Sequence, residues 1–244
     1  MPFYYYFDWS YLVLVVPALL FSLWASARVN STFKKYSAIR NARGMTGAEA
    51  ARAVLNANGV TDVRIEYVSG NLTDHYDPKN KVIRLSQDVY DAATPAAVGV
   101  AAHEAGHAAQ YAAHYLPIRI RAAIIPATNI GSKLSVPLII LGLLLPGLRI
   151  FAPYTEFFNL IAWIGVACYS LCVLFQLVTL PTEFNASRRA VTAIERCGLL
   201  LPEEQQGAKK VLTAAALTYV AALSASLAQL LRLIIIVGGR QRRD

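Results

Sequence analysis

Charge is scarce in this chain. Asp, Glu, Lys and Arg make up only 16% of its 244 residues, against about 25% in soluble domains. With 56% hydrophobic residues, the composition points away from a water-soluble globule and towards a membrane protein. Cysteine is rare too, with three in all. Cys168 and Cys172 lie one helical turn apart in an apolar segment and Cys197 lies in a polar one, which excludes a disulfide framework or a cysteine metal site. The opening "MPFYYYFDWS" lacks the basic region of a cleaved signal peptide, and its Tyr and Trp suit an aromatic belt at a membrane interface. Repeats, low-complexity tracts and long linkers are lacking. No basic patch is interleaved with aromatics, so the net charge of +8 is assigned to loops facing anionic headgroups and not to nucleic acid.

Long apolar runs are what the chain does have. They cover about Tyr11 to Val29, Ala122 to Leu148, Phe157 to Leu180 and Leu212 to Val237. Each approaches the ~20 residues that cross a bilayer. The fourth is the weakest, since it opens on small and hydroxylated residues and is interrupted by Arg232. Three to four membrane segments are therefore expected. Lys and Arg gather after the first run and before the second, and again after the third, whereas the loop between the second and third holds only Arg149. The positive-inside rule puts residues 30–120 and 181–211 on the cytoplasmic side. The basic tail "GRQRRD" conflicts with a simple fourth span.

Between the first two runs the pattern is that of a folded α+β region. Thr46 and Glu49 form a capping-box signature for a helix ending near Gly59. "VRIEYV" and "VIRLS" read as a pair of short strands around the turn-rich "SGNLTDHYDPKNK". A second helix is expected from Pro95 towards Tyr115. After the third run, Pro181 suits the start of a new helix that lasts until Gly198. The expected organisation is an N-terminal membrane anchor (1–30), a catalytic region (31–121), a transmembrane hairpin (122–180), the second half of the catalytic region (181–211), and a C-terminal apolar helix with a basic tail (212–244).

Histidine is rarer still at four residues, yet "AAHEAGHAAQ" places His103 and His107 four apart around Glu104. On a helix, residues i and i+4 share a face. The two imidazoles can therefore serve one tetrahedral ion, with Glu104 beside them as general base. A catalytic zinc site takes a third protein ligand. Glu183, on the same side as the motif, is the first candidate. His114, two turns after His107, competes with it. His75, Tyr76, Arg188 and Tyr219 are candidates to stabilise the oxyanion. "VIRLS" is positioned to act as an edge strand that holds a peptide by β-augmentation.

The stretches "GMTGAEAAR", "GNLTDHYDPKNKVIRLS", "AAHEAGHAAQ", "TLPTEFNASRRA" and "VLTAAALTYVAA" give the chain, nearly end to end, a resemblance to the YugP-like neutral zinc metallopeptidases of bacterial membranes. A more distant likeness is to the membrane zincins that include the bacterial heat-shock protease and the CAAX prenyl endopeptidase. There a Glu-Phe-x-Ala-Asp motif supplies the third ligand. Here the match is Glu183, Phe184, Ala186 and Ser187. The resemblance thus implies Glu183 as ligand, with Ser187 or Asn185 supporting a zinc histidine where the relatives use Asp.

Taken together, the expectation is an α-helical integral membrane protein with a zincin-like cytoplasmic catalytic region, built from a small strand pair and the metal-binding helix. It would be multi-pass in the bacterial cell membrane, hold one zinc ion, and act as an endopeptidase on membrane-associated polypeptides, in quality control or processing. The alternative is a catalytically silent scaffold of the same fold, against which Glu104 argues. A transporter is a third reading, opposed by the placement of ionisable residues outside the apolar runs, Arg232 excepted.

Overall fold

The computed structural model describes residues 8–71 and 73–240. The tyrosines of the expected aromatic belt and the last four residues of the basic tail lie outside the described residues. The chain is mostly helical, with one small sheet. A π-helical turn, Tyr11–Val15, leads into α1 (Val16–Ser37). There follow α2 (Gly47–Ala57), β1 (Arg64–Val68), β2 (His75–Asp77), β3 (Val82–Ser86), α3 (Gln87–Tyr90), α4 (Pro95–Ala112), α5 (Leu116–Leu144), α6 (Thr155–Arg196) and α7 (Pro202–Arg240). Among the described residues, four helical stretches are long and apolar enough to cross a membrane: Tyr11–Ser37, Leu116–Gly147, Ala152–Arg196 and Pro202–Gly239. The chain divides into two compact units.

One unit takes the residues up to Leu23, Ile120–Val178 and the chain from Val220. It is apolar outside as well as inside. Val136, Leu160 and Leu174 are among many large side chains left exposed. In water each would forgo about 25 cal/mol per Å² of apolar surface, whereas lipid solvates them. A thin core of Ile139, Ala162, Val166, Leu233 and Val237 lies within. Here α5 and α6 meet backbone to backbone through glycine. A Cβ on Gly142 would sit 2.5 Å from the Phe158 carbonyl oxygen, and one on Gly131 would sit 2.8 Å from that of Cys168. Small residues at such crossings are how helices pack where no hydrophobic effect drives them together. Arg232, the charge that interrupts the fourth apolar run, is neutralised. Its Nε and Nη2 donate to Asp8 Oδ2 at 2.9 and 2.6 Å, and its guanidinium lies 5.2 Å from the Tyr11 ring centroid.

The other unit takes Trp24–Arg119 and Thr179–Tyr219 and has a conventional core. Leu55, Ile83, Leu85, Val89, Val98, Ile194 and Leu200 are buried in it. The expected capping box is present: Glu49 N–H donates to Thr46 Oγ1, and the Glu49 carboxylate accepts from Thr46 N–H. α2 ends at Ala57, and Gly59 takes the left-handed φ of +69°. The sheet has three strands in place of the expected pair, in the order β1–β3–β2. "VIRLS" is its central strand, parallel to β1 and antiparallel to β2, so both its edges are occupied and it cannot accept an added strand. The edges are β1 and the three-residue β2, which was hidden in a segment that composition marks as turn. Arg84 on β3 lies between Glu66 and Asp77, at 3.7 and 3.2 Å.

Pro181 does not start a helix. It sits inside α6, which runs unbroken for 42 residues. Proline removes one backbone donor and clashes with the preceding turn, but long apolar helices tolerate it where neighbours re-satisfy the freed carbonyl. Pro126 and Pro137 lie inside α5 in the same way. The fourth apolar run likewise belongs to one continuous helix of 39 residues.

The Asp8–Arg232 pair generates a test. Asp8→Asn is expected to lower the thermal stability of purified protein in neutral detergent, by about 1–2 kcal/mol. Asp8→Leu combined with Arg232→Met should recover most of the loss, since no charge is then left unpaired. A double variant as unstable as the sum of the single ones would show that the pair is not coupled.

Candidate metal centre

α4 carries the histidine pair. Thr94 caps its first turn, accepting from Ala97 N–H, and Pro95 takes the position where no donor is needed. Its faces are lined with Ala97, Ala101, Ala102, Ala105, Ala108 and Ala109, all buried. This smallness lets α6 approach closely. A Cβ on Gly106 would lie 2.8 Å from the carbonyl oxygen of Ala186. Because the backbones meet there, the side chains flanking this contact are forced together. His103 and His107 project from α4, and Glu183 from the facing turn of α6.

His103 Nε2 lies 3.2 Å and His107 Nε2 3.3 Å from the same oxygen, Glu183 Oε2. One donor atom from each of the three residues falls within 4.8 Å of the others. The imidazoles are nearly perpendicular, with centroids 4.7 Å apart. Glu183 is 2% exposed and His107 8%. A carboxylate so buried needs cationic partners, and a divalent ion would meet that need.

Each imidazole is steered from behind. His107 Nδ1 lies 2.9 Å from Gln110 Oε1, and Gln110 Nε2 donates to the Thr182 carbonyl at 2.8 Å and to Asn185 Oδ1 at 3.0 Å. The Thr182 carbonyl can only accept, so the amide group of Gln110 must face it and the oxygen must face the ring. His107 therefore carries its proton on Nδ1 and presents the Nε2 lone pair to the centre. On the other ring, Ser187 Oγ lies 3.1 Å from His103 Nδ1. Ser187 and Asn185 thus stand where the resemblance puts supporting residues, Asn185 through Gln110 and also bonded by Arg189 Nε at 2.9 Å. The donor set fits one zinc ion: two imidazole nitrogens and one carboxylate oxygen converge, and the far nitrogen of each ring is already engaged.

Glu104 follows His103 on α4 and is 9% exposed. Its charge reaches Asp74, which precedes β2. Burial pushes the Asp74 carboxyl above its usual pKa, the N–H and hydroxyl of Ser86 pull it back, and Glu104 adds repulsion. Burial also opposes charge on His107, but Glu183, Glu104 and Gln110 together outweigh it, and the ring is held above its ordinary pKa. Glu104 and Glu183 thus place acidic side chains beside the imidazoles, a setting that favours a cation.

The remaining sequence candidates are placed as follows. His114 is exposed just beyond α4, with φ +50°, and is not in the three-residue donor group. His75 is exposed on edge strand β2, its Nδ1 2.8 Å from the Thr73 carbonyl and its Nε2 3.4 Å from Arg84 Nη1. Tyr76 is half-buried, its ring 5.7 Å from that of Tyr111. Arg188 lines a cavity of about 280 Å³ with Asn185 and Arg196, and Tyr219 is half-buried on α7. Gln110 and Asp74 escaped the sequence reading. Gln110 had a signal: it lies on the face of His107, one turn on, in an otherwise alanine-rich stretch.

Comparison with known proteins agrees with this centre. Residues 11–238 match the family described as "Putative neutral zinc metallopeptidase", and the chain belongs to that family of zinc metallopeptidases. A relative in Bacillus subtilis (strain 168), "Putative membrane protease YugP", is 45% identical over 226 residues, which cover 93% of this chain and 96% of the relative. No solved structure matches the chain. That relative and the four apolar helices support a membrane location.

Gln110→Leu should fold but lose the acceptor that fixes His107, lowering zinc affinity about 10–100-fold in a chelator competition. Gly106→Ala should force α4 and α6 apart and cost about 1–3 kcal/mol, read as a lower melting temperature of the metal-loaded protein. Unchanged affinity in the first and unchanged stability in the second would contradict the close packing described.

Proposed function

We propose that this protein is a membrane-embedded endopeptidase that hydrolyses peptide bonds of membrane-associated polypeptides at the cytoplasmic face, in processing or quality control. His103, His107 and Glu183 would hold one zinc ion. The observation that carries the reading is the convergence of two imidazole Nε2 atoms on Glu183 Oε2 with Glu104 adjacent and buried. Zinc, when bound, supplies Lewis-acid polarisation of water and of the scissile carbonyl.

The chain's own residues do the rest. Glu104 takes a proton from the attacking water and passes it to the leaving nitrogen. The tautomer enforced by Gln110 keeps the His107 lone pair directed inwards, and Ser187 steadies His103. His75, Arg188 and Tyr219 are the groups proposed to meet the substrate oxyanion. In this reading residues 31–121 and 181–211 make up the catalytic region, 1–30, 122–180 and 212–244 the membrane part. The exposed apolar helices support a membrane-bound substrate, and the clustering of Lys and Arg supports cytoplasmic sidedness.

Two variants test the assignment. Glu104→Gln should retain about one zinc per chain and lose about 10²–10⁴-fold in cleavage of a model membrane substrate. Glu183→Ala should lose both zinc and activity. Full activity in zinc-loaded Glu104→Gln protein would refute the base. Zinc-loaded parent protein that cleaves no membrane or soluble polypeptide would point to the silent scaffold.

A further inference from the structure

A second cavity, of about 500 Å³, lies in the same unit as the metal centre and is formed by α1 and the first half of α7. Four cations line it: Arg28 and Lys35 from α1, Lys209 and Lys210 from α7. Among the described residues no carboxylate lines it and none of the four forms an ion pair, while Lys35 Nζ lies 5.6 Å from the Tyr36 ring centroid. Ser31, Thr32, Tyr36 and Thr213 add hydroxyl groups to the wall. Its remaining surface includes Ala214 and Leu217.

Four like charges around one cavity repel one another, and an anion seated among them relieves that repulsion. Ser31 and Thr213 donate to the carbonyls of Arg28 and Lys209, so the hydroxyls of Thr32 and Tyr36 are the donors of the kind that phosphate oxygens accept. Gly207 lets α7 come close at this level, since a Cβ there would lie 2.7 Å from the Tyr36 ring. Both helices that form the cavity are long and apolar enough to enter a bilayer. Basic pockets between such helices take the headgroups of anionic lipids. The cavity has room for more than a bare phosphate, and its apolar wall suits a glycerol backbone or the start of an acyl chain.

We propose that this cavity is a binding site for a phosphate group, filled by the headgroup of an anionic phospholipid. It is distinct from the metal centre and shares no residue with it. It rests on the membrane location and not on peptidase activity, so it is read equally well on the Glu104→Gln protein.

The test uses full-length protein in neutral detergent, titrated with phosphatidylglycerol, with phosphatidylcholine of the same chain length, and with inorganic phosphate. Phosphatidylglycerol is expected to bind and raise the melting temperature, and phosphatidylcholine to do neither. Arg28→Gln combined with Lys209→Gln should weaken phosphatidylglycerol binding about 30-fold, from about 1 kcal/mol per cation, with zinc content unchanged. Thr213→Trp keeps all four cations but fills the cavity, and it should abolish binding, which covers failure of the double variant to fold. Equal binding of phosphatidylcholine, or full binding by Thr213→Trp protein, would overturn the site. Inorganic phosphate binding as tightly as phosphatidylglycerol would overturn the lipid as its source.

Discussion

One buried amide sets the geometry of the metal centre. Gln110 is bonded to His107 on its own helix and to Thr182 and Asn185 on α6. Both ends of its side chain are used, so it cannot rotate without leaving a buried group unpaired, at a cost of about 1–3 kcal/mol. It fixes the ring's tautomer and the register of the two helices at once. Glu183 is thereby delivered to the same point as the imidazoles, although 76 residues and a membrane-length hairpin separate it from His107 in the chain.

The sheet serves the same end by another route. Its central strand is buried, and Ser86 at its end accepts no substitute role: its N–H and hydroxyl both face Asp74. Asp74 in turn lies within electrostatic reach of Glu104. Two carboxylates near one another in a buried place repel, and a cation between or beside them removes the penalty. The polar unit gathers acidic side chains about the histidines, whereas in the apolar unit Asp8 and Arg232 pair with each other.

Much of this was legible in the sequence because it is written locally. The Thr46–Glu49 capping box, the glycine stop after α2, and the pairing of His103 with His107 depend on residues within one or two helical turns. Glu183 is legible as a candidate from its side of the membrane and is strengthened by a motif likeness, and Ser187 rests on the likeness alone, since nothing local ties either to α4. The errors have non-local causes. Strand order follows from which edges meet in space, so "VIRLS" looked like an edge and became the centre. Pro181 has the signature of a helix start, and only the continuity of α6 through an apolar environment overrides it. β2 is three residues long, too short to show alternation.

The alanine face of α4 has an asymmetry built into it. A core of leucines can fail in two ways, by losing atoms or by gaining them. A face made of alanine and glycine has almost nothing to lose, so nearly every change there is an insertion of bulk into a space already filled by its neighbours, α2, α6 and α7. Such a surface is constrained by excluded volume and not by affinity. Neutral drift should therefore pass through it far more slowly than through the leucine-rich core beside it.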